Sequence, residues 1–174
     1  MTTIPGIEIF VRQRAHMIDD NPAPDLSAIK ISEDDYEVDP FTEKQYKTIL
    51  KAIPTCDNII ERNRVRVAAL MQLQRWSGLS LVDAVCLSRE ELVKVASRFR
   101  LDTSRRKSGS KVSNVIPGWL GQELLNVKNG NQRYFFWSGE TTTKSATSTW
   151  DKLYRKVFEK GIVDGGSHRF RHFF

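Results

Sequence analysis

The sequence is poor in the residue types that announce a ready-made chemistry. Its 174 residues include two cysteines and three histidines. Cys56 and Cys86 lie in apolar, helical-looking surroundings without metal-ligand spacing, so they read as buried free thiols in a reducing compartment rather than as a zinc module or disulfide framework. No stretch approaches the length of a membrane span, and Met1 to Arg14 lacks the apolar run of a signal peptide. A cytoplasmic protein with no membrane partner is expected. Internal repeats and low-complexity tracts are also missing, which sets aside solenoids and biased linkers. His16 is isolated and needs no function. No metal and no small-molecule cofactor is expected.

What the chain does have is an uneven charge. The first 40 residues carry three basic side chains (Arg12, Arg14, Lys30) against nine acidic ones, leaving 24 against 12 in the remainder, a net of +12. A basic body suggests a polyanion partner, most often nucleic acid, although a solvated basic surface has the same composition. Residues 1–38, punctuated by Pro5, Pro22 and Pro24, read as an acidic N-terminal arm or linker. Its apolar run Ile7 to Val11, a strand or one helical turn, builds no core alone.

From Asp39 the pattern becomes that of a folded domain. Thr42 followed by Gln45 is a capping box, and Tyr46, Ile49, Leu50 and Ile53 fall on one helical face before Pro54. A longer helix has Ile59, Ile60, Val65, Ala68, Ala69, Leu70, Leu73 and Trp76 on its apolar stripe and breaks at Gly78. Ser80 with Asp83, and Ser88 with Glu91, are two further cap signatures. The period then shifts towards two through Val93, Val95, Phe99 and Leu101. The turn Thr103 to Ser110 is basic, and Val112, Val115 and Ile116 return, which together predict a hairpin with a cationic tip. A short helix follows Pro117-Gly118 and ends near Asn129-Gly130. The run Tyr134-Phe135-Phe136-Trp137 reads as a buried strand rather than a base-stacking platform. A last helix is predicted from about Ser148 to Lys160, with Gly161 as its C-terminal glycine.

The chain closes on Gly165-Gly166-Ser167-His168-Arg169-Phe170-Arg171-His172. The spacing of His168, Arg171 and His172 suits one face of a helix opening after a glycine turn. Arg supplies a planar fork that matches two phosphate oxygens, and His donates to a third oxygen or moves a proton.

The order of these features resembles that of the tyrosine recombinase (phage integrase) catalytic domain, over about residues 38–174. His168-x-x-Arg171-His172 looks like the family's H-x-x-R-H box, and Lys107-Ser108-Gly109 resembles the K-T-G of its hairpin turn. The resemblance implies an α+β fold, mostly helical with a small antiparallel sheet, of the DNA breaking-rejoining type. Residues 39–174 would then be a partial catalytic domain. It further implies site-specific DNA recombination and integration, as in mobile elements, with duplex DNA and other recombinase protomers as partners. In such a site a tyrosine attacks a backbone phosphate and cations balance the charge of the transition state. By match, Arg171 is the second arginine, His168 the acid or base of the box, Lys107 the general acid and His172 a neighbour of unassigned role. Arg105, Arg106, Lys107 and Arg171 are the expected DNA contacts.

Two departures qualify the resemblance. The family's first arginine follows a Gly-Leu, whereas here Gly78-Leu79 is followed by Ser80, with Asp83 at the acidic position. Loss of a preorganised cation costs on the order of 3–4 kcal/mol of transition-state stabilisation. Arg75 is close enough in sequence to be considered as a replacement. The family's nucleophilic tyrosine follows the box, whereas Tyr36, Tyr46, Tyr134 and Tyr154 all precede it and read as packing residues. The expectation is a recombinase-type DNA-binding domain inactive in strand cleavage on its own. A non-enzymatic nucleic-acid-binding fragment or regulator is the alternative, and an interaction domain using its aromatic surface a third. For Lys107, a solvated hairpin tip and a DNA contact both remain open.

Overall fold

The computed structural model describes residues 39–172. The expected arm over residues 1–38, with Tyr36, lies outside the described residues. The described residues form five α-helices and one sheet: α1 (Glu43–Ala52), α2 (Glu61–Ser77), α3 (Leu81–Val85), α4 (Gly118–Asn126) and α5 (Thr143–Gly161), with strands β1 (Leu92–Val95), β2 (Arg98–Ser104) and β3 (Lys111–Ile116) between α3 and α4. Short 3-10 turns cover Ile53–Thr55, Arg89–Glu91 and Ser167–His172. This is the expected mostly helical α+β fold with a small antiparallel sheet.

Local chemistry sets most of the element ends. The Thr42 hydroxyl accepts the Gln45 amide at 3.2 Å while the Gln45 side chain accepts the Thr42 amide at 2.8 Å, so two otherwise orphaned donors are satisfied at the start of α1. At the end of α2, Gly78 takes the left-handed conformation (φ 64°) that closes a helix and that side chains with a Cβ resist. Ser80 then caps α3.

Helix α2 is the central element, packed against α3, α4, α5, β3 and the C-terminal 3-10 turn. Its buried face is Val67, Leu70, Met71, Gln74 and Ser77, together with Ala69 and Leu73. That face is turned relative to the expected stripe: Ile60, Val65 and Trp76 are exposed. A helix surrounded on several sides offers no single apolar stripe for periodicity to find. Cys56 and Cys86 are both buried, and burial pushes their thiols up.

The sheet is a meander in the order β1-β2-β3, antiparallel throughout, with Leu92 opposite Leu101 and Phe99 opposite Ile116. Leu92, Phe99, Leu101 and Ile116 face the core. The segment read as one strand from Val93 to Leu101 is two, joined at Ala96-Ser97 with Ala96 in the left-handed region (φ 53°). The turn was hidden because neither residue is one of the glycines or asparagines that usually mark it.

Two further expectations are corrected. The aromatic run is no regular strand: only one bridge, Ser88 to Tyr134, forms, although Phe135 and Phe136 are buried. Asn129 holds the segment in place of a ladder, its amide donating to the carbonyls of Tyr134 (3.0 Å) and Trp137 (2.8 Å). Helix α5 begins earlier than expected, at Thr143, because Thr142 caps it by accepting the Ser145 amide. It also runs through Gly161, leaving the left-handed cap position to Ile162 (φ 51°). Among the described residues no helix is long and apolar enough to cross a membrane.

Ile162 is β-branched, 93% exposed and in a conformation that costs an L-residue roughly 1–2 kcal/mol. Ile162→Gly is therefore expected to stabilise the domain by about 1 kcal/mol, read as a higher denaturation midpoint at unchanged m-value; a lower midpoint would contradict it.

Candidate functional site

The cationic tip is a closed turn from Arg105 to Ser110. The Arg105 amide donates to the Ser110 carbonyl at 2.9 Å, and the Gly109 amide to the Arg105 carbonyl at 2.7 Å, with Gly109 at φ 68°. Lys107 and Arg106 are exposed and Arg105 is half-buried. Lys107 makes no hydrogen bond or ion pair among the described residues.

This turn is tied to α3 by Asp83. One carboxylate oxygen accepts the Ser80 hydroxyl at 2.6 Å, and the other accepts the backbone amide of Arg106 at 2.9 Å. The Asp83 amide in turn donates to Ser80 Oγ at 3.3 Å. Ser80 and Arg106, the neighbour of Lys107, therefore share one buried carboxylate. A cap signature showed the Ser80–Asp83 pair in the sequence, but nothing there showed the second half of the link, which spans 23 positions.

The C-terminal box is held differently. Ser167–His172 forms a 3-10 turn rather than the expected α-helix. Side chains three apart eclipse in such a turn, so His168 and Arg171 share one edge, Ser167 and Phe170 a second, and Arg169 and His172 a third. His172 is thereby separated from the pair it was expected to join. Phe170 is fully buried against Phe41, Tyr46, Tyr154 and Phe158, with ring centroids 4.8–6.2 Å apart.

Arg169, given no role beforehand, is an anchor. It donates to the Asp39 carbonyl (2.6 Å), the Asp39 carboxylate (2.9 Å) and the Asp164 carbonyl (2.8 Å), and its guanidinium lies 4.5 Å from the Phe41 ring centroid. Gly165 (φ 150°) permits this, since a Cβ there would press on both Arg169 and Phe41 at 2.9 Å. Arg171 is half-buried and His168 exposed, and neither has a hydrogen bond or ion pair among the described residues.

The two parts meet on α2. Asn114 of β3 donates to the Ser77 carbonyl at its C-terminal end at 2.5 Å, and the 3-10 turn packs against the same helix. Arg75 is committed elsewhere: it pairs with Glu43 at 3.0 Å and lies 4.3 Å from the Tyr46 ring centroid, which directs it to α1 rather than to Ser80. Tyr46 and Tyr154 are buried, and burial pushes Tyr46 up to about 12 and Tyr154 well above the ordinary phenol range. Tyr134 is half-buried, and its ring packs at a tilt against Trp137 with centroids 4.8 Å apart. Among the described residues no group of His, Cys, Asp and Glu could hold a metal ion.

The arrangement of helices around this meander is similar to that of several solved structures. A XerH site-specific recombinase bound to palindromic difH in a post-cleavage complex superposes with a TM-score of 0.60 at 13% identity, over 78% of this chain and 40% of that one. The pre-cleavage XerH complex gives 0.62 at 13% identity, over 78% and 41%. The fold is that of the tyrosine recombinase catalytic domain. A lambda integrase dimer bound to a COC′ core site agrees at a TM-score of 0.53 and 14% identity, over 78% and 39%. The chain thus spans about 40% of the length of these recombinase chains. No protein-family model and no curated protein matches the sequence. At such low identity the tyrosine recombinase likeness is one of fold.

Removing the shared carboxylate should loosen the turn without unravelling the core. Asp83→Ala is expected to cost roughly 1–3 kcal/mol, because the part-buried Arg106 amide and Ser80 hydroxyl lose their acceptor, and to speed amide exchange at residues 105–110. Unchanged exchange there would show that Asp83 does not hold the turn. The tyrosines give a separate alkaline signature. An unfolded tyrosine ionises near 10, so a fold that keeps Tyr46 neutral to about 12 has its full contribution below pH 10 and loses it as pH rises towards 12. Tyr46→Phe is expected to flatten that fall, measured as urea midpoints between pH 9 and 12, while Tyr154 keeps a residual slope.

Proposed function

We propose that this chain binds duplex DNA as a tyrosine-recombinase-type catalytic domain and belongs to site-specific recombination or integration in a mobile element. In this reading residues 39–174 are a partial catalytic domain preceded by an acidic arm or linker over 1–38, working in the cytoplasm with other protomers of its kind. The observation that carries the reading is the pair of unengaged cationic edges fixed to one helix: Lys107 on the turn held by Asp83, and Arg171 with His168 on the edge beside the Phe170 plug. The solved structures sharing the fold include recombinases described as bound to their DNA substrates, which supports the same partner here.

Within that reading Arg171 grips the scissile phosphate through its planar fork, His168 donates to it or moves a proton, and Lys107 protonates the leaving 5′-oxygen. Arg105 and Arg106 bind neighbouring phosphates, and His172 lies outside the grip. Strand cleavage by these 174 residues alone is not proposed. Ser80 caps α3 and hydrogen-bonds Asp83, so no cation stands at the first-arginine position, and Arg75 is paired with Glu43. The described tyrosines are packing residues. The second reading, a non-enzymatic DNA-binding fragment or regulator, is favoured by those same two observations.

Binding carried by four cations should follow counterion release, with log K falling against log salt at a slope of about −3 to −4. Lys107→Ala and Arg171→Ala are each expected to reduce that slope by about one and to weaken all duplex sequences similarly. Fluorescence anisotropy with a labelled duplex at 50–200 mM salt is the measurement; no binding at low salt sinks the proposal. With a nicked suicide substrate no covalent adduct is expected, and an adduct formed by this chain alone would overturn the binding-only account.

A further inference from the structure

Another cation, Arg66, stands in a different part of the fold and no role assigned so far uses it. Arg66, on α2, borders a cavity of about 250 Å³ between α2, the Asn129–Thr141 segment and the first turns of α5. The other polar groups lining it are Asn63, Asn129, Ser138, Thr141 and Thr149, and no carboxylate lines it. A water takes about 30 Å³, so there is room for a tetrahedral oxyanion with several waters.

Arg66 is fixed before anything binds. Its Nη2 donates to the Phe136 carbonyl at 2.9 Å and to Asn129 Oδ1 at 3.3 Å, and its guanidinium lies 4.9 Å from the Trp150 ring centroid. Its Nε is buried and has no hydrogen-bond partner among the described residues. Arg64, Arg75 and Arg169 each reach a carboxylate, whereas Arg66 has no ion pair among the described residues. Burial lowers its pKa, and the nearby Arg62 adds to the effect. A half-buried guanidinium held rigidly, with a donor unsatisfied and a second guanidinium near it, is a centre of uncompensated positive charge.

We infer that this cavity binds a phosphate-like oxyanion, with Arg66 supplying the charge and the hydroxyls of Ser138 and Thr141 donating to the remaining oxygens, whereas the Thr149 hydroxyl is engaged with the Ser145 carbonyl at 3.0 Å. The anion neutralises a cation that the fold has already desolvated and oriented, so little ordering opposes binding. Its source is either a free phosphate or a backbone phosphate of nucleic acid. The inference does not rest on the recombinase reading, because none of Lys107, His168 and Arg171 lines the cavity.

The test is thermal unfolding and calorimetric titration of the 174-residue chain with inorganic phosphate, compared with chloride at matched ionic strength. Saturable binding is expected, with a rise in Tm of about 3–6 °C at ten times the dissociation constant. Trp137 and Trp150 line the cavity, so their fluorescence should follow the same curve. Arg66→Lys, which loses the fork, is expected to weaken phosphate binding at least tenfold. Thr141→Val changes an exposed residue whose backbone carbonyl, not its hydroxyl, accepts Trp137 Nε1; it leaves Tm in chloride unchanged and is expected to weaken phosphate binding about threefold. Stabilisation that never saturates, or saturable binding unchanged in both variants, overturns the inference. Competition by a short duplex in the wild type, reduced in Thr141→Val, supports the site with a backbone phosphate as occupant. Saturable, variant-sensitive binding that duplex leaves unaffected supports it with the free anion.

Discussion

Phe170 sits without solvent exposure among Phe41, Tyr46, Tyr154 and Phe158, so a residue near the end of the described domain packs against one near its start. Full burial of such a ring contributes about 2–3 kcal/mol, and each aromatic pair adds somewhat more through its geometry. Because α1 and α5 both supply rings to this cluster, the turn that carries the box is positioned by the core itself. The 3-10 geometry then divides the remaining side chains. Phe170 points in, Arg169 is spent on Asp39 and Asp164, and the His168–Arg171 edge is left over.

The basic turn depends on a quite different force. It has little apolar surface to bury, and its exposed cations repel one another. What fixes it is a buried carboxylate, Asp83, that accepts a donor from the N-cap of α3 and another from the backbone beside Lys107. Serine at position 80 is integral to this arrangement. Its hydroxyl both caps the helix and satisfies Asp83, so the local structure is complete without a cation there. The same economy applies to Arg75, whose interactions with Glu43 and Tyr46 tie α2 to α1. Local completeness at these two positions is how the fold stands without a cation at position 80.

Much of the fold was legible where a short-range rule governs. The Thr42–Gln45 capping box, Gly78 as a helix stop and Ser80 as a cap each involve partners within a few residues, and each is found as the pattern predicts. Legibility failed where the neighbours are distant. The exposed edge of α2 was misplaced because the helix is surrounded, Ala96-Ser97 hid a turn, and Phe135-Phe136 bury themselves without a ladder because Asn129 replaces it. Lys107, Arg171 and His168 could be singled out as candidates from order and spacing, whereas the anchoring role of Arg169 could not.

By itself the sequence determined the helix caps, the basic body, the hairpin tip and the α+β class, because these follow from interactions between residues close along the chain and from composition. Only the tertiary structure decided which polar groups are free to act. It consumed Arg169 and Arg75 in structural pairs, turned His172 away from His168 and Arg171, joined Ser80 to the Lys107 turn through Asp83, and left Arg66 facing a cavity with no carboxylate. The reason is that a charged side chain is available for chemistry only when the fold has given it no partner, and partners separated by tens of residues become neighbours only once the core has formed.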